Sequence, residues 1–522
     1  MRKRLGVAAL LLLFLAFFLV LRGRHHGPLP PTRIGIWYWH SPYTLSANDV
    51  ADLKRIGVDT LYVRAATFTT DGENLKSSIP QVWGKASRDF GVVLVFNFDA
   101  GLRSHFESLT VTKMASDMVN VVTATRRTAE RKGVRVTGVQ FDVDCPTRLL
   151  EKYALLLRQV RSQLSKRGAL TKRDTFSATA LQTWLASDGY GKLADVCDFM
   201  APQFYEGRLG RTLDSVQPIA DTHALANGLN RLSRFGKPYF VGVATYGHAL
   251  LYDQRGHLAN MYHGMGPADA LRHPSLVQEK LAAMQENGAI ANPKNYAGED
   301  LLVLRATQAD SRGRGNGFHI AYVIPTPRML ERQLGEIARN RDENCRGMIL
   351  YRFPEPNDEM SLPLVTVAQR FRTDPKQKRI DAKIDVVTRS VPWALIGPDH
   401  RSGQPPRDFN LHLTATGTEP SLAAQDAAEA VVTFNRTGLE AAAPGGFDAA
   451  QTGVATNLDD FEPCAPAHAN AVRFRCYHLL PGQLLRSGNI EVGENGPSPR
   501  RVYLRVRYSG GFARFSMTKE LR

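Results

Sequence analysis

From Arg33 onward, short apolar runs with strand-like alternation recur between stretches whose apolar residues return every three or four positions. The two periods belong to strands and helices respectively, so their repetition predicts βα units and a parallel sheet. Eight runs fit: RIGIWYWH (33–40), TLYVRAATF (60–68), GVVLVFNFD (91–99), VTGVQFDVD (136–144), TFSATALQTW (175–184), DFMAPQFYE (198–206), PYFVGVATYGH (238–248) and GMILYRFP (347–354). After the fourth, Leu149, Leu150, Tyr153, Leu156, Leu157, Val160 and Leu164 make one apolar stripe with Lys and Arg between, the mark of a helix packed on a sheet. Ser46 with Asp49 reads as a capping box, and Thr326-Pro327 as an N-cap followed by a proline at the first helical position. Eight strands, each followed by a helix, predict a (β/α)8 TIM barrel over 33–372. A doubly wound sheet usually carries a Gly-rich first turn, and none follows His40.

About 250–325 is too long for an ordinary connection between the last two strands. LLVLRA (301–306) and FHIAYVIP (318–325) predict β structure within this insertion, and SRGRGNG (311–317) reads as a hairpin tip, since it lacks the ending of a phosphate loop. Past Arg372 the helical period fades. KIDVVT (383–388), FNLHLTATG (409–417), AVVTFN (430–435), VRFRCYHL (472–479), YLRVRYS (503–509) and FARFSMT (512–518) alternate between turn residues, predicting an antiparallel β-sandwich module over 373–522.

Residues 1–32 are a different kind of sequence. Leu5 to Leu21 is unbroken apolar and sits at the lower length limit for crossing a bilayer. Bulky residues stand where a cleavable signal needs small ones, so the run reads as an uncleaved signal anchor; a secreted chain released by cleavage is the alternative. The preceding Arg2, Lys3 and Arg4 would hold the N-terminus in the cytoplasm and send the rest outward, to the periplasmic or extracellular face of the envelope. Pro-rich GPLPPT (27–32) would be a stiff tether.

The formal net charge is +16, of which Arg2, Lys3, Arg4, Arg22 and Arg24 merely flank the leader. The remaining basicity is dispersed, without an arginine stripe or an aromatic-interleaved patch, so nucleic acid is not an expected partner. KQKR (376–379) reads as a solvated linker. Five cysteines are too few for a disulfide scaffold, although Cys464 and Cys476 could bridge in an oxidising compartment; Cys145, Cys197 and Cys345 read as buried thiols. No zinc spacing occurs, and neither a metal nor a cofactor is expected.

Chemistry in such barrels sits at the C-terminal ends of the strands. Those ends carry Trp37 and Trp39, Arg64, Asp99, Gln140 with Asp142 and Asp144, Gln203 with Tyr205 and Glu206, Tyr246 and His248, and Tyr351. Gln140, Asp142 and Asp144 alternate onto one face of the fourth strand. Two neighbouring carboxylates facing a barrel mouth repel each other, which raises at least one pKa toward that of a proton donor. Aromatic faces with carboxylates and amides suit a sugar better than a phosphate.

VTGVQFDVD resembles the fourth strand of family-18 glycoside hydrolases, the chitinases, whose pattern is D-G-x-D-x-D-x-E. Gly138 matches the glycine, Gln140 replaces the first following Asp, Asp142 matches the second, and Asp144 stands where the proton-donating Glu belongs. FYE (204–206), VGVATYGH (241–248) and GMILYRF (347–353) look like the sixth, seventh and eighth strands, with Tyr351 in place of the usual Trp. The chain is also similar to a bacterial domain-of-unknown-function family of TIM barrels placed near these hydrolases. Taken with the leader, which implies export, the resemblance implies a retaining glycoside hydrolase that cleaves or processes a polysaccharide or N-acetylated glycan, with Asp144 as general acid/base and Asp142 orienting it or the substrate. Tyr205, Glu206, Gln203 and Tyr246 would line the pocket, and Trp37, Trp39 and Tyr351 would stack on sugar rings. Because Asp144 is one methylene short, Glu206 across the barrel is the alternative catalytic partner, and a carbohydrate-binding barrel without turnover is the alternative function.

The leader makes a prediction of its own. The full chain should stay in the membrane fraction through alkaline washing, whereas recovery of a shortened chain in the wash would establish a cleaved signal.

Overall fold

The computed structural model describes residues 32–521 apart from 79, 85–86, 287–292, 309–314, 372–377, 391–406 and 494. The leader Leu5–Leu21, most of the tether, half of KQKR and the start of SRGRGNG lie outside these. Among the described residues, no helix is long and apolar enough to cross a membrane.

Eight parallel strands close into a barrel: β1 (Arg33–Tyr38), β2 (Val58–Thr70), β3 (Gly91–Phe98), β4 (Val136–Asp142), β5 (Thr175–Leu181), β6 (Phe199–Gln203), β7 (Tyr239–Ala244) and β8 (Cys345–Tyr351). Each pairs with its neighbours in chain order, and β1 pairs with both β2 and β8, so no edge remains. Every strand predicted from alternation is present, with ends shifted by a few residues. The largest consequence is at β4, which stops at Asp142 and leaves Asp144 on the loop beyond.

Alternation along β4 explains how the barrel is filled. Val139 and Phe141 turn outward beneath the helix Leu150–Lys166, whose buried face is Leu150, Tyr153, Ala154, Leu156, Leu157, Val160 and Leu164. Each buried leucine or valine of that face contributes roughly 1.5–3 kcal/mol. Gln140 and Asp142 turn inward, above an interior packed with Trp37, Tyr62, Phe199, Phe240 and Ile349. The Ser46–Asp49 capping box forms as expected. Pro327 opens the helix Pro327–Asn340, but Thr326 makes no side-chain cap, because its hydroxyl instead donates to the Gly298 carbonyl at 2.7 Å.

One connection departs from the βα repeat. β2 runs on past the barrel rim and pairs with an antiparallel strand, Leu75–Ser78, where a helix was expected. The insertion is a five-stranded antiparallel sheet in the order Leu258–Met261, His248–Tyr252, His319–Pro325, Tyr296–Ala306, Leu276–Gln285. The C-terminal module stacks a five-stranded and a six-stranded antiparallel sheet over a core that includes Leu411, Leu413, Val432, Val472, Phe474 and Leu504.

The expected Cys464–Cys476 bridge is absent, and both thiols are free. Cys464 lies level with Thr452 on one side of strand Ala449–Val454, while Cys476 ends the strand on its other side, Ala471–Cys476. An intervening strand and several residues of stagger exceed the reach of a disulfide, ~7 Å between Cα atoms.

Gly138 shows how tightly β4 sits. A Cβ there would lie 2.4 Å from the Thr175 carbonyl oxygen and 2.2 Å from its hydroxyl on β5. Backbone cannot retreat as a side chain would, so Gly138→Ala should lower stability by about 1–3 kcal/mol. Unchanged unfolding midpoints in denaturant would show that β4 and β5 have slack.

Candidate active site

The inward polar residues of β4 rise from the packed interior in two steps. Gln140 is fully buried: its Oε1 accepts from Trp37 Nε1 at 2.7 Å and its Nε2 donates to Ser177 Oγ at 3.3 Å. This ties β1, β4 and β5 together and gives the cavity its floor. One layer higher, Asp142 Oδ1 accepts from Thr179 Oγ1 at 2.7 Å and from Gln203 Nε2 at 3.4 Å. Both partners are neutral. Burial, and secondarily the charge of Asp144, push the Asp142 carboxyl up to about 7.

Asp144 stands at the mouth with its side chain 42% exposed and pairs with Arg103 at 3.3 Å. Burial of its surroundings and the charge of Glu206 still raise its pKa against the opposing guanidinium. Glu206 follows β6 in a left-handed conformation, φ +55°, with its N–H donated to the Ile219 carbonyl at 3.0 Å. A non-glycine residue held there costs about 1 kcal/mol or more and marks a side chain aimed by its surroundings. Tyr246 donates its hydroxyl to Glu206 Oε1, and His248 Nδ1 stands 3.8 Å from the same oxygen. Burial works to raise the Glu206 pKa, but the His248 ring, the Tyr246 hydroxyl and the charge of Arg352 outweigh it and hold it below the ordinary value.

Tyrosines line the same cavity as these acids. Tyr205 and Tyr351 stack at 5.4 Å and 13°, and Tyr246 meets both edge-on. Trp37 and Trp39 each meet Tyr351 edge-on at 5.9 Å. The result is a cavity of about 530 Å³ at the C-terminal ends of the strands, within the size range of small-molecule sites.

Of the residues singled out from sequence, Trp37, Trp39, Asp142, Asp144, Gln203, Tyr205, Glu206, Tyr246, His248 and Tyr351 line this cavity together. Three lie elsewhere. Gln140 is beneath the floor. Arg64, beside an irregularity in the β2–β3 pairing, lies over the Trp39 ring at 5.9 Å. Asp99 caps the short helix Ala100–His105, accepting from Leu102 N–H at 2.6 Å; an Asp at a strand end and an Asp at a helix start look the same in sequence.

Sequence reasoning missed one wall of the cavity. Tyr262, His263, Met265 and Tyr322 of the insertion line it, with Asp358 and Met360 beyond β8. Tyr322 Oη donates to the Met265 carbonyl at 3.0 Å, the Met265 N–H donates to Tyr262 Oη at 3.2 Å, and Glu359 accepts from Ala268 N–H at 2.7 Å. The only sequence signal was the Gly-rich turn YHGMG in an overlong connection.

Residues 95–271 match the family described as a domain of unknown function (DUF3142). No protein of curated function matches the chain. Among solved structures, the spore cortex-lytic enzyme SleL of Bacillus cereus is 14% identical with a TM-score of 0.41, over 66% of this chain and 76% of that one. A chitinase from Chromobacterium violaceum ATCC 12472 is 12% identical with a TM-score of 0.39, over 65% and 99%. Chitinase ChiA74 from Bacillus thuringiensis is 10% identical with a TM-score of 0.39, over 91% and 100%.

Proposed function

We propose that this chain is a glycoside hydrolase acting outside the cytoplasm, in which the Asp142–Asp144 pair supplies the proton and Glu206 is the ionised partner. The supporting observation is that one aromatic-walled cavity pushes its carboxyls in opposite directions, Asp142 and Asp144 up and Glu206 down. Acetal hydrolysis needs both states at once: a carboxylic acid to protonate the departing glycosidic oxygen, and a carboxylate to attack the anomeric carbon or take a proton from water. At neutral pH Asp142 is the half-protonated store, and Asp144 is the member of the pair that reaches the mouth. Trp39, Tyr205, Tyr246 and Tyr351 offer faces to the rings of the substrate, and Gln203 and His248 offer polar contacts to its hydroxyls.

A second reading has its own observation. Asp144 is short for a proton donor and its carboxylate is held by Arg103, so the cavity would bind a glycan and not cleave it.

Hydrolysis of a panel of polysaccharides and N-acetylated glycans by the full chain separates the two. Turnover should fall by about a hundredfold or more in Asp144→Asn and in Glu206→Gln, with binding of uncharged oligomers retained. Calorimetric binding without product from the unaltered protein would favour the non-catalytic barrel.

The proton store also makes a stability prediction. Below the ordinary value of 3.8, Asp142 holds a proton in both folded and unfolded chains and contributes no difference. Between 3.8 and about 7 the unfolded chain releases that proton and the folded one keeps it, so stability falls as pH rises, and above about 7 the loss is complete. Asp142→Asn should therefore gain on the unaltered protein from pH 4 to pH 8, by roughly 2–4 kcal/mol at the upper end. Denaturant unfolding across that range checks it; a gap that does not change with pH would mean that Asp142 ionises as freely in the folded chain as in the unfolded one.

A further inference from the structure

In a chain of formal charge +16, the described residues place no cation in this cavity that is not already paired with a carboxylate. Five carboxylates line the cavity: Asp142, Asp144, Glu206, Glu355 and Asp358. Arg352 is the one guanidinium among the lining residues, and its Nη2 is engaged with Asp358 Oδ2 at 3.0 Å. Arg103, at the rim, is engaged with Asp144, and Arg64 lies over Trp39. Asp142 and Glu206 are left with hydrogen bonds from neutral groups only, Thr179 and Gln203 for one and Tyr246 for the other, and with the His248 ring 3.8 Å from Glu206. The three-tyrosine cluster of Tyr205, Tyr246 and Tyr351 lines the same cavity as these two acids.

A second observation is independent of charge. The Tyr205 hydroxyl and both ring nitrogens of His248 are buried in the cavity wall with no hydrogen-bond partner, and both residues are more than nine-tenths buried. Buried polar groups without partners cost about 1–3 kcal/mol each, a cost that a ligand could relieve where the wall shifts to meet it.

We infer that the centre of this cavity receives the free ammonium group of an amino sugar, so that the preferred glycan is one with unsubstituted amines; the sugar part of this inference rests on the glycosidase reading. An ammonium carries three N–H donors and a full positive charge. It can donate to Glu206 while lying against tyrosine faces, whose negative quadrupole attracts it, and its charge favours the ionised form of Asp142 in the same cavity. An acetamide brings one N–H and no charge, and would leave the ionised Glu206 in a low-dielectric site without a new counter-charge. Acidic walls inside a basic molecule also focus the field toward the cavity, so a cationic segment of glycan is drawn to this mouth and repelled elsewhere.

Calorimetry on the full chain in detergent tests this with glucosamine, N-acetylglucosamine and glucose oligomers of matched length and linkage. The glucosamine oligomer should bind about tenfold more tightly than the other two, and the preference should narrow at high salt. It should vanish in Asp142→Asn/Glu206→Gln, with circular dichroism checking that the variant folds; the comparison on the unaltered protein stands without it. Equal or tighter binding of the N-acetylated oligomer overturns the inference while its hydrolysis would leave the glycosidase reading intact. Glucosamine preference without hydrolysis of any oligomer does the reverse.

Discussion

The buried hydrogen bond from Trp37 Nε1 to Gln140 Oε1, 2.7 Å long, sets the depth of everything above it. Trp37 is the top of the packed barrel interior, and its indole N–H can be buried only because an amide oxygen meets it. An aspartate in place of Gln140 would bring a second charge under Asp142; an apolar residue would orphan the indole. With the amide in place, the next inward position of β4 is the first from which a carboxylate reaches open space, and that position is Asp142. Barrel closure then brings the ends of β5 and β6 alongside, so Thr179 and Gln203 meet the same oxygen. The site is thus a consequence of strand register more than of loop shape.

Polarity in this region is bought with local instability, and its placement is consistent. Asp142 is held without a cation, Glu206 is held at positive φ, and Tyr205 and His248 have buried polar atoms without partners. All of these border one cavity. Elsewhere some buried acids are paired, Glu419 with Arg370 at 2.7 Å and Glu429 with Arg475 and Arg505 at 3.1 and 2.8 Å, whereas Glu299 and Asp300 are fully buried and accept from neutral donors. Unfavourable groups placed where a ligand can satisfy them are what preorganisation requires, since the cost falls on folding and not on the moment of binding.

The eight barrel strands and the helix after β4 were legible because burial on two faces or on one stripe imposes a period that the sequence must carry. Asp142, Asp144, Glu206 and the tyrosines were legible for the same reason, as polar or aromatic residues at strand ends. What escaped was set by distance in the chain. The strand Leu75–Ser78 replaces a helix because β2 overruns the rim and offers it an edge, and nothing local announces that. The Cys464–Cys476 pair is close in sequence, yet a strand lies between them. Asp99 carries the same local signature as a catalytic strand-end acid and is a helix cap. The Tyr262–Gly266 wall has no period at all, since its position comes from Tyr322 and Glu359, many residues away.

That wall connects the cavity to the C-terminal module. The helix Pro267–Arg272 directly after it ends in Arg272, which pairs with Asp448 of the module at 2.6 Å. Asp448 is buried enough to accept the Tyr477 N–H at 2.6 Å as well, so the pair is fixed from the module side. At the other end of the insertion, buried Asp300 accepts from Tyr296 at 3.0 Å and from the Gly510 N–H of a module turn at 3.1 Å. A turn such as Tyr262–Gly266 would be free to move if it were carried by a simple loop. Here it is the front edge of a sheet anchored at two points on the module, and the module is joined to the barrel by Thr366 on Thr418 and Arg370 on Glu419. The barrel supplies the acids and the module braces the element that closes one side of their cavity, so the β module contributes to the site by geometry, with none of its described residues lining it.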